Sequence, residues 1–332
     1  MRRRNAREKE EMYFCGEQKT IDTMQDLEDL PCHINIRKDI NQLPEIEFHI
    51  SKVVHVTTKS GLDGILKSGG FQGHMGGFQG HNPHLLWWGL AIEEDDIQIA
   101  EERFLEKTFP GRSALQKSMQ EPFLTKFTTS PAFQMDKSRY GNFKFTFSLS
   151  DMLQMYREQI CGGDGPVMRV YGTTVYKQEI MYTVIVHSPS VKEFDKYPGL
   201  WECGDDAVCI FNNNNVVWRA QALSKTHYFK PVTHNDNIIK AEKFDPLYEW
   251  DRWFVWDHVT VAFHVPEGQT LKPSRERLIQ NLTACEAADP FLGVRCAHQT
   301  QFCTCRCCRL SLPAAQWIVK QLKVEERKEQ TD

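Results

Sequence analysis

The run Val53-Val54-His55-Val56-Thr57-Thr58-Lys59-Ser60-Gly61-Leu62-Asp63-Gly64-Ile65-Leu66-Lys67-Ser68-Gly69-Gly70-Phe71 constrains this chain more than any other. The segment from Ser51 to Val56, which leads into it, is β-branched and reads as a strand. Ser60 to Lys67 carries Leu62, Ile65 and Leu66 at helical spacing, and a glycine pair ends that helix. Alternation along the strand places His55 and Thr57 on one face, where together they can hold one polar ligand. The chain must therefore build a strand that turns at once into a short helix, with two polar side chains at the junction.

Similar segments surround it. Leu85 to Ile92 is a continuous apolar run of eight, read as a buried strand. Glu93-Glu94-Asp95-Asp96 places negative charge at the start of a helix that carries Ile97, Ala100, Phe104 and Leu105. Phe143 to Leu149 alternates strictly and reads as a half-buried strand, after which Ser150-Asp151 is expected to cap a helix from Met152 to Ile160. Val167 to Tyr176, Ile180 to Val186 and Trp253 to Val265 read as strands. Cys209 to Trp218 reads as a hairpin turning on asparagines. Strands outnumber helices, so the expected class is α+β, with mixed, mostly antiparallel sheets and flanking helices.

Four regions are expected. Residues 1–45 form a charged N-terminal extension, 46–190 the α+β core, 191–268 an aromatic-rich β segment packed on that core, and 269–332 a variable cysteine-rich tail. The duplicated Gly-Gly-Phe-Gln-Gly-His phrase at 69–74 and 76–81 lengthens a loop and is no solenoid.

With 332 residues, 41% of them hydrophobic and 25% charged, the composition is that of an ordinary globular chain. A net charge of −4 gives no support for a global basic field drawing nucleic acid. The basic start, Met1 to Lys9, is followed by no apolar run, and no stretch reaches the roughly 18 apolar residues of a membrane span. A cytoplasmic or nuclear protein without membrane partners is expected.

The strand–His-x-Thr–helix–Gly-Gly-Phe phrase resembles the opening of the ADP-ribosyltransferase fold. The order His55, Trp87 or Trp88, then Glu179 before a late strand is similar to the His–Tyr–Glu order of the poly(ADP-ribose) polymerase and diphtheria-toxin branch. The phrase from His55 to Phe71 is also similar to that of DarT-type transferases, for whose arginine Arg103 is the candidate here. The resemblance covers about residues 46–190. It implies an ADP-ribosyltransferase-like core that uses NAD as substrate and transfers ADP-ribose to a macromolecular acceptor, protein or nucleic acid. His55 and Thr57 would bind NAD, Trp87 or Trp88 would line the nicotinamide pocket in place of a tyrosine, and Glu179 would act as the catalytic carboxylate. That carboxylate would stabilise an oxocarbenium-like state.

The alternative is a non-catalytic, transferase-like interaction module, for which Tyr248, Trp250, Trp253, Phe254 and Trp256 supply aromatic surface. No metal site is assigned. His74, His81 and His84 lie in or just beyond the duplicated glycine-rich phrase, which is expected to fix ligands poorly. Cys296, His298, Cys303, Cys305, Cys307 and Cys308 offer enough soft ligands for zinc, but adjacent and alternate cysteines chelate one tetrahedral ion awkwardly. Cys161, Cys203 and Cys209 lie in no nucleophile signature, and no phosphate-binding glycine loop is present.

Overall fold

The computed structural model describes residues 1–4, 10–25, 43, 46–73, 84–204, 206–224, 228–243, 255–289 and 310–329. The strands are β1 (Arg2–Arg4), β2 (Glu10–Cys15), β3 (Glu47–Ile50), β4 (Lys52–Thr57), β5 (Leu85–Leu90), β6 (Lys137–Ser138), β7 (Phe143–Ser148) and β8 (Val167–Tyr176). They continue with β9 (Glu179–His187), β10 (Cys209–Asn212), β11 (Asn215–Arg219), β12 (Phe229–His234), β13 (Ile238–Lys243), β14 (Trp256–His264), β15 (Leu282–Ala284) and β16 (Glu286–Ala287). The helices are α1 (Ile21–Gln25), α2 (Lys59–Ser68), α3 (Glu94–Thr108), α4 (Ala114–Met119), α5 (Leu149–Gln159), α6 (Arg275–Gln280) and α7 (Leu312–Glu329). None of the described helices is long and apolar enough to cross a membrane.

The class is α+β with mostly antiparallel sheets. Nine strands form the main sheet in the order β1-β2-β8-β9-β14-β5-β4-β7-β15. Every neighbouring pair in it is antiparallel except β9 and β14, which run parallel from Trp256 opposite Glu179 to Phe263 opposite Val186. The residues before position 46 supply β1 and β2 at one edge, and the 191–268 region supplies β14 between β9 and β5. A second sheet, β10-β11-β3, leads into the first because β3 runs directly into β4.

Local chemistry explains the elements around β4. Thr58 caps α2 by accepting from the Gly61 amide, and Gly69 closes the helix in the left-handed conformation at φ 70°. Glu93 and Asp96 form a capping box at the start of α3. The α5 cap is Ser148, which accepts from the Asp151 amide, so the helix begins at Leu149. The expected cap, Ser150, lies inside that first turn because the last alternating position of β7 already carries a hydroxyl. In the β10–β11 hairpin Asn213 and Asn214 adopt φ 49° and 62°, as a two-residue turn between twisted strands requires.

The sheet is buried on both faces. Val53, Trp88, Phe145, Val184 and Val261 belong to one large core cluster that also takes in Leu62 of α2, Phe104 of α3 and Tyr156 of α5. On the other face Leu85, Ile185 and Ala262 pack with Tyr171, Phe194, Tyr197 and half-buried Trp87. Phe71, 1% exposed, meets the rings of Trp88, Phe145 and Phe147 at centroid distances of 5.0, 5.2 and 6.1 Å. Phe71→Ala should cost about 3–5 kcal/mol in chemical denaturation, because ring and cavity terms add. A loss below 1 kcal/mol, on the order of a surface substitution, would contradict this packing.

Candidate functional site

Two polar groups stand out, one on each face of the sheet. The first is the end of β4. β4 pairs with β7 along its whole length, from Lys52 opposite Ser148 to Thr57 opposite Phe143. It pairs with β5 only at Val53 and Val54. Beyond Val54 the two strands part, and the His55 imidazole spans the gap: its Nδ1 lies 2.9 Å from the Trp87 carbonyl oxygen. A carbonyl only accepts, so Nδ1 carries the proton. Burial holds His55 below the usual imidazole value, so the ring is neutral at pH 7 and Nε2 is a bare acceptor.

Phe71 and Trp88 fix this ring at centroid distances of 5.5 and 5.4 Å. Thr57 projects from the same face two residues on. Neither His55 Nε2 nor Thr57 Oγ1 has a hydrogen-bond partner among the described residues, and both residues are half-buried. The helix start explains how the threonine is seated. A Cβ on Gly61 would lie 1.9 Å from Thr57 Oγ1, so only glycine lets the first turn of α2 close over that hydroxyl.

The second group surrounds Glu179, which opens β9 and is 3% exposed. Arg139 Nη2 donates to its carboxylate at 2.6 Å, and His258 Nε2 donates at 2.8 Å. Arg139 also donates to the Tyr140 hydroxyl at 2.7 Å, with its guanidinium 4.9 Å from that ring. Trp256 stacks on His258 at 5.2 Å. Burial alone would raise the Glu179 carboxyl; the Arg139 charge and the hydrogen bonds from His258 and Arg139 overcome that and bring it down to about 2.

Register settles how the expected residues relate. Val261 lies opposite both Trp88 and Val184, whereas Ala262 lies opposite Trp87 and Ile185. Trp256 lies opposite Glu179, which puts Glu179 and His258 on the Trp87 face. His55 lies opposite Phe145 and packs on Trp88, on the other face. The sheet therefore brings His55, Thr57 and Trp88 together and sends Glu179 and Trp87 to the far side. Trp88 is 0% exposed and is a core residue, so it offers no surface to a ligand. Trp87 contributes its carbonyl to His55, while its side chain packs with the second core cluster. Arg103 donates to the Glu47 carbonyl at 2.9 Å, at the start of β3.

Sequence reasoning missed Arg139, Tyr140 and His258. Their only local signal is polar residues placed just before or within strand-like runs, which is too common to select them. Among the described residues no group of three His, Cys, Asp or Glu is placed to hold a metal ion. His74, His81, Tyr248, Trp250, Trp253, Phe254, Cys296, His298, Cys303, Cys305, Cys307 and Cys308 lie outside the described residues. Cys161 and Cys209 are buried, and burial raises both thiols above their ordinary value, which removes nucleophilic thiolate at neutral pH.

No family model, curated protein or solved structure matches this chain. The site has to be judged on its own chemistry.

Two outcomes are expected. Gly61→Ala should lower stability by about 1–3 kcal/mol through overpacking, and adding Thr57→Ala should recover most of that loss; equal losses with and without Thr57→Ala would contradict the contact. Glu179 has a folded-state value depressed from 4.5 to about 2, so its contribution is full above pH 4.5 and is lost as pH falls toward 2. Urea midpoints from pH 6 to pH 3 should therefore converge between wild type and Glu179→Gln as the medium becomes acid. A gap that widens on acidification would reverse the sign and refute the ionised pair.

Proposed function

We propose that this chain is an ADP-ribosyltransferase-like module that binds a ribose-bearing dinucleotide, NAD, at His55 and Thr57 without cleaving it. The observation that carries the reading is a pair of polar atoms, His55 Nε2 and Thr57 Oγ1, that have no hydrogen-bond partner among the described residues, on one face where β4 leaves β5. A neutral imidazole locked with its proton on Nδ1 asks for a donor, and a threonine hydroxyl both gives and accepts. Adjacent sugar hydroxyls satisfy both requirements at once. The likeness to the transferase fold is supported by the same elements: a histidine strand running into a capped helix, an aromatic strand beside it, and α+β architecture.

The non-catalytic form of the reading rests on the faces. Cleavage of the nicotinamide–ribose bond draws on a carboxylate beside the developing positive charge. Glu179 projects from the opposite face and is held by Arg139 and His258. One observation favours active transfer to a macromolecular acceptor instead: Glu179 is ionised at neutral pH, as a catalytic carboxylate of this kind must be.

Calorimetric titration with NAD, followed by chromatography for free nicotinamide, separates the readings. Wild type is expected to bind NAD and release no nicotinamide. His55→Ala and Thr57→Val should each weaken binding roughly threefold to tenfold, the equivalent of one net hydrogen bond. Nicotinamide release abolished by Glu179→Gln would replace this reading with active transfer, and no binding at millimolar NAD would end both.

A further inference from the structure

Glu179 is too heavily engaged for a group with no task. Placing a carboxylate, a guanidinium and an imidazole together at low exposure is costly unless each is paired, and here each is. The partner that matters is Arg139, because its neighbours in the chain reach β4. Gly141, two residues later, adopts φ 145°, a conformation that L side chains rarely reach. It lies so close to β4 that a Cβ there would fall 2.1 Å from the Thr57 carbonyl oxygen and 2.6 Å from the Thr58 amide nitrogen. The segment gripped by Glu179 thus presses on the residue that ends β4 and on the cap of α2.

The rest of the segment is pinned from other directions. Asn142 donates to the Cys285 and Leu310 carbonyls and accepts from the Leu310 amide, all at 2.9–3.1 Å. Lys144 Nζ reaches the Met135 carbonyl at 2.7 Å. Arg139 stands between these anchors. Nothing else described in the segment is tied to the centre of the main sheet by a charged hydrogen bond.

We infer that Glu179 is a positioning residue: through Arg139 it holds the Arg139-Tyr140-Gly141 segment against Thr57 and so sets the geometry of the His55–Thr57 site from the opposite face of the sheet. This rests on the NAD-binding reading above and gives the carboxylate a role that needs no contact with ligand. Removing Glu179 breaks the tie from Arg139 to β9, lets Gly141 withdraw, and leaves the Thr57 hydroxyl free to turn away.

Two measurements on the full chain test this. Amide hydrogen exchange without ligand, comparing wild type with Glu179→Gln and with Arg139→Lys, should rise over residues 135–143 and at Thr58 while β9 and β14 stay protected. Exchange that rises equally across β9 and β14 would mark general loosening and overturn the inference, as would unchanged exchange in both variants. NAD titration of wild type, Glu179→Gln, Thr57→Val and the double variant supplies the coupling. Glu179→Gln should weaken NAD binding about tenfold in the wild-type background and less than about twofold once Thr57 is valine, as expected of coupled sites. Equal losses in both backgrounds would overturn the inference. Localised exchange in a wild type that does not bind NAD would sustain the positioning role and overturn the NAD reading alone.

Discussion

Burial of β14 on both faces is the constraint on which the rest of the structure depends. A strand covered on both sides gives its polar side chains little water, so each one left unpaired is costly. At the end of β14 His264 Nδ1 is buried without a hydrogen-bond partner among the described residues, whereas Asp257 and His258 are paired. Asp257 and His258 are adjacent on β14 and so point to opposite faces. On the large-core face Asp257, 0% exposed, accepts from Trp218 Nε1 at 3.0 Å and from the Gln221 and Ala222 amides. Burial still pushes it up to about 6. On the other face His258 takes Glu179 as its partner. Two carboxylates close together in the sheet are thereby driven apart in acidity, one by desolvation and one by charge. Asp257 ties the second sheet to the main one; Glu179 ties in the segment that reaches Thr57.

The same alternation separates the His55–Thr57 pair from the charged cluster. His55 works by being neutral and oriented: the Trp87 carbonyl fixes its tautomer and Phe71 and Trp88 fix its plane. Such a ring suits the hydroxyl recognition proposed for it. Glu179 works by being ionised and immobile. A carboxylate with two charged or polar donors on it is a poor partner for a transient cation but a good anchor for a loop.

Much of this architecture was legible in the sequence where it depends on local chemistry. The β4–α2 junction follows from β-branched residues, the helical spacing of Leu62, Ile65 and Leu66, and a glycine pair that ends the helix. β5, β9 and the Asn213-Asn214 hairpin follow from apolar runs and turn residues. The faces were not legible. That Glu179 and His55 diverge depends on the register of β9, β14 and β5, and no local pattern announces that a strand beginning at Trp256 inserts in parallel beside β9. Trp87 and Trp88 read alike as letters, and only the pairing with β14 assigns one to each core. Arg139 was invisible for the same reason: its partner is 40 residues away in sequence.

The most direct test of the account is the state of the His55 ring, read by nitrogen-15 NMR on histidine-labelled protein with and without NAD. The account predicts a neutral ring at pH 7 with the proton on Nδ1, and an Nε2 resonance that moves as NAD saturates the site. A proton on Nε2, or an Nε2 resonance that ignores saturating NAD, would contradict it.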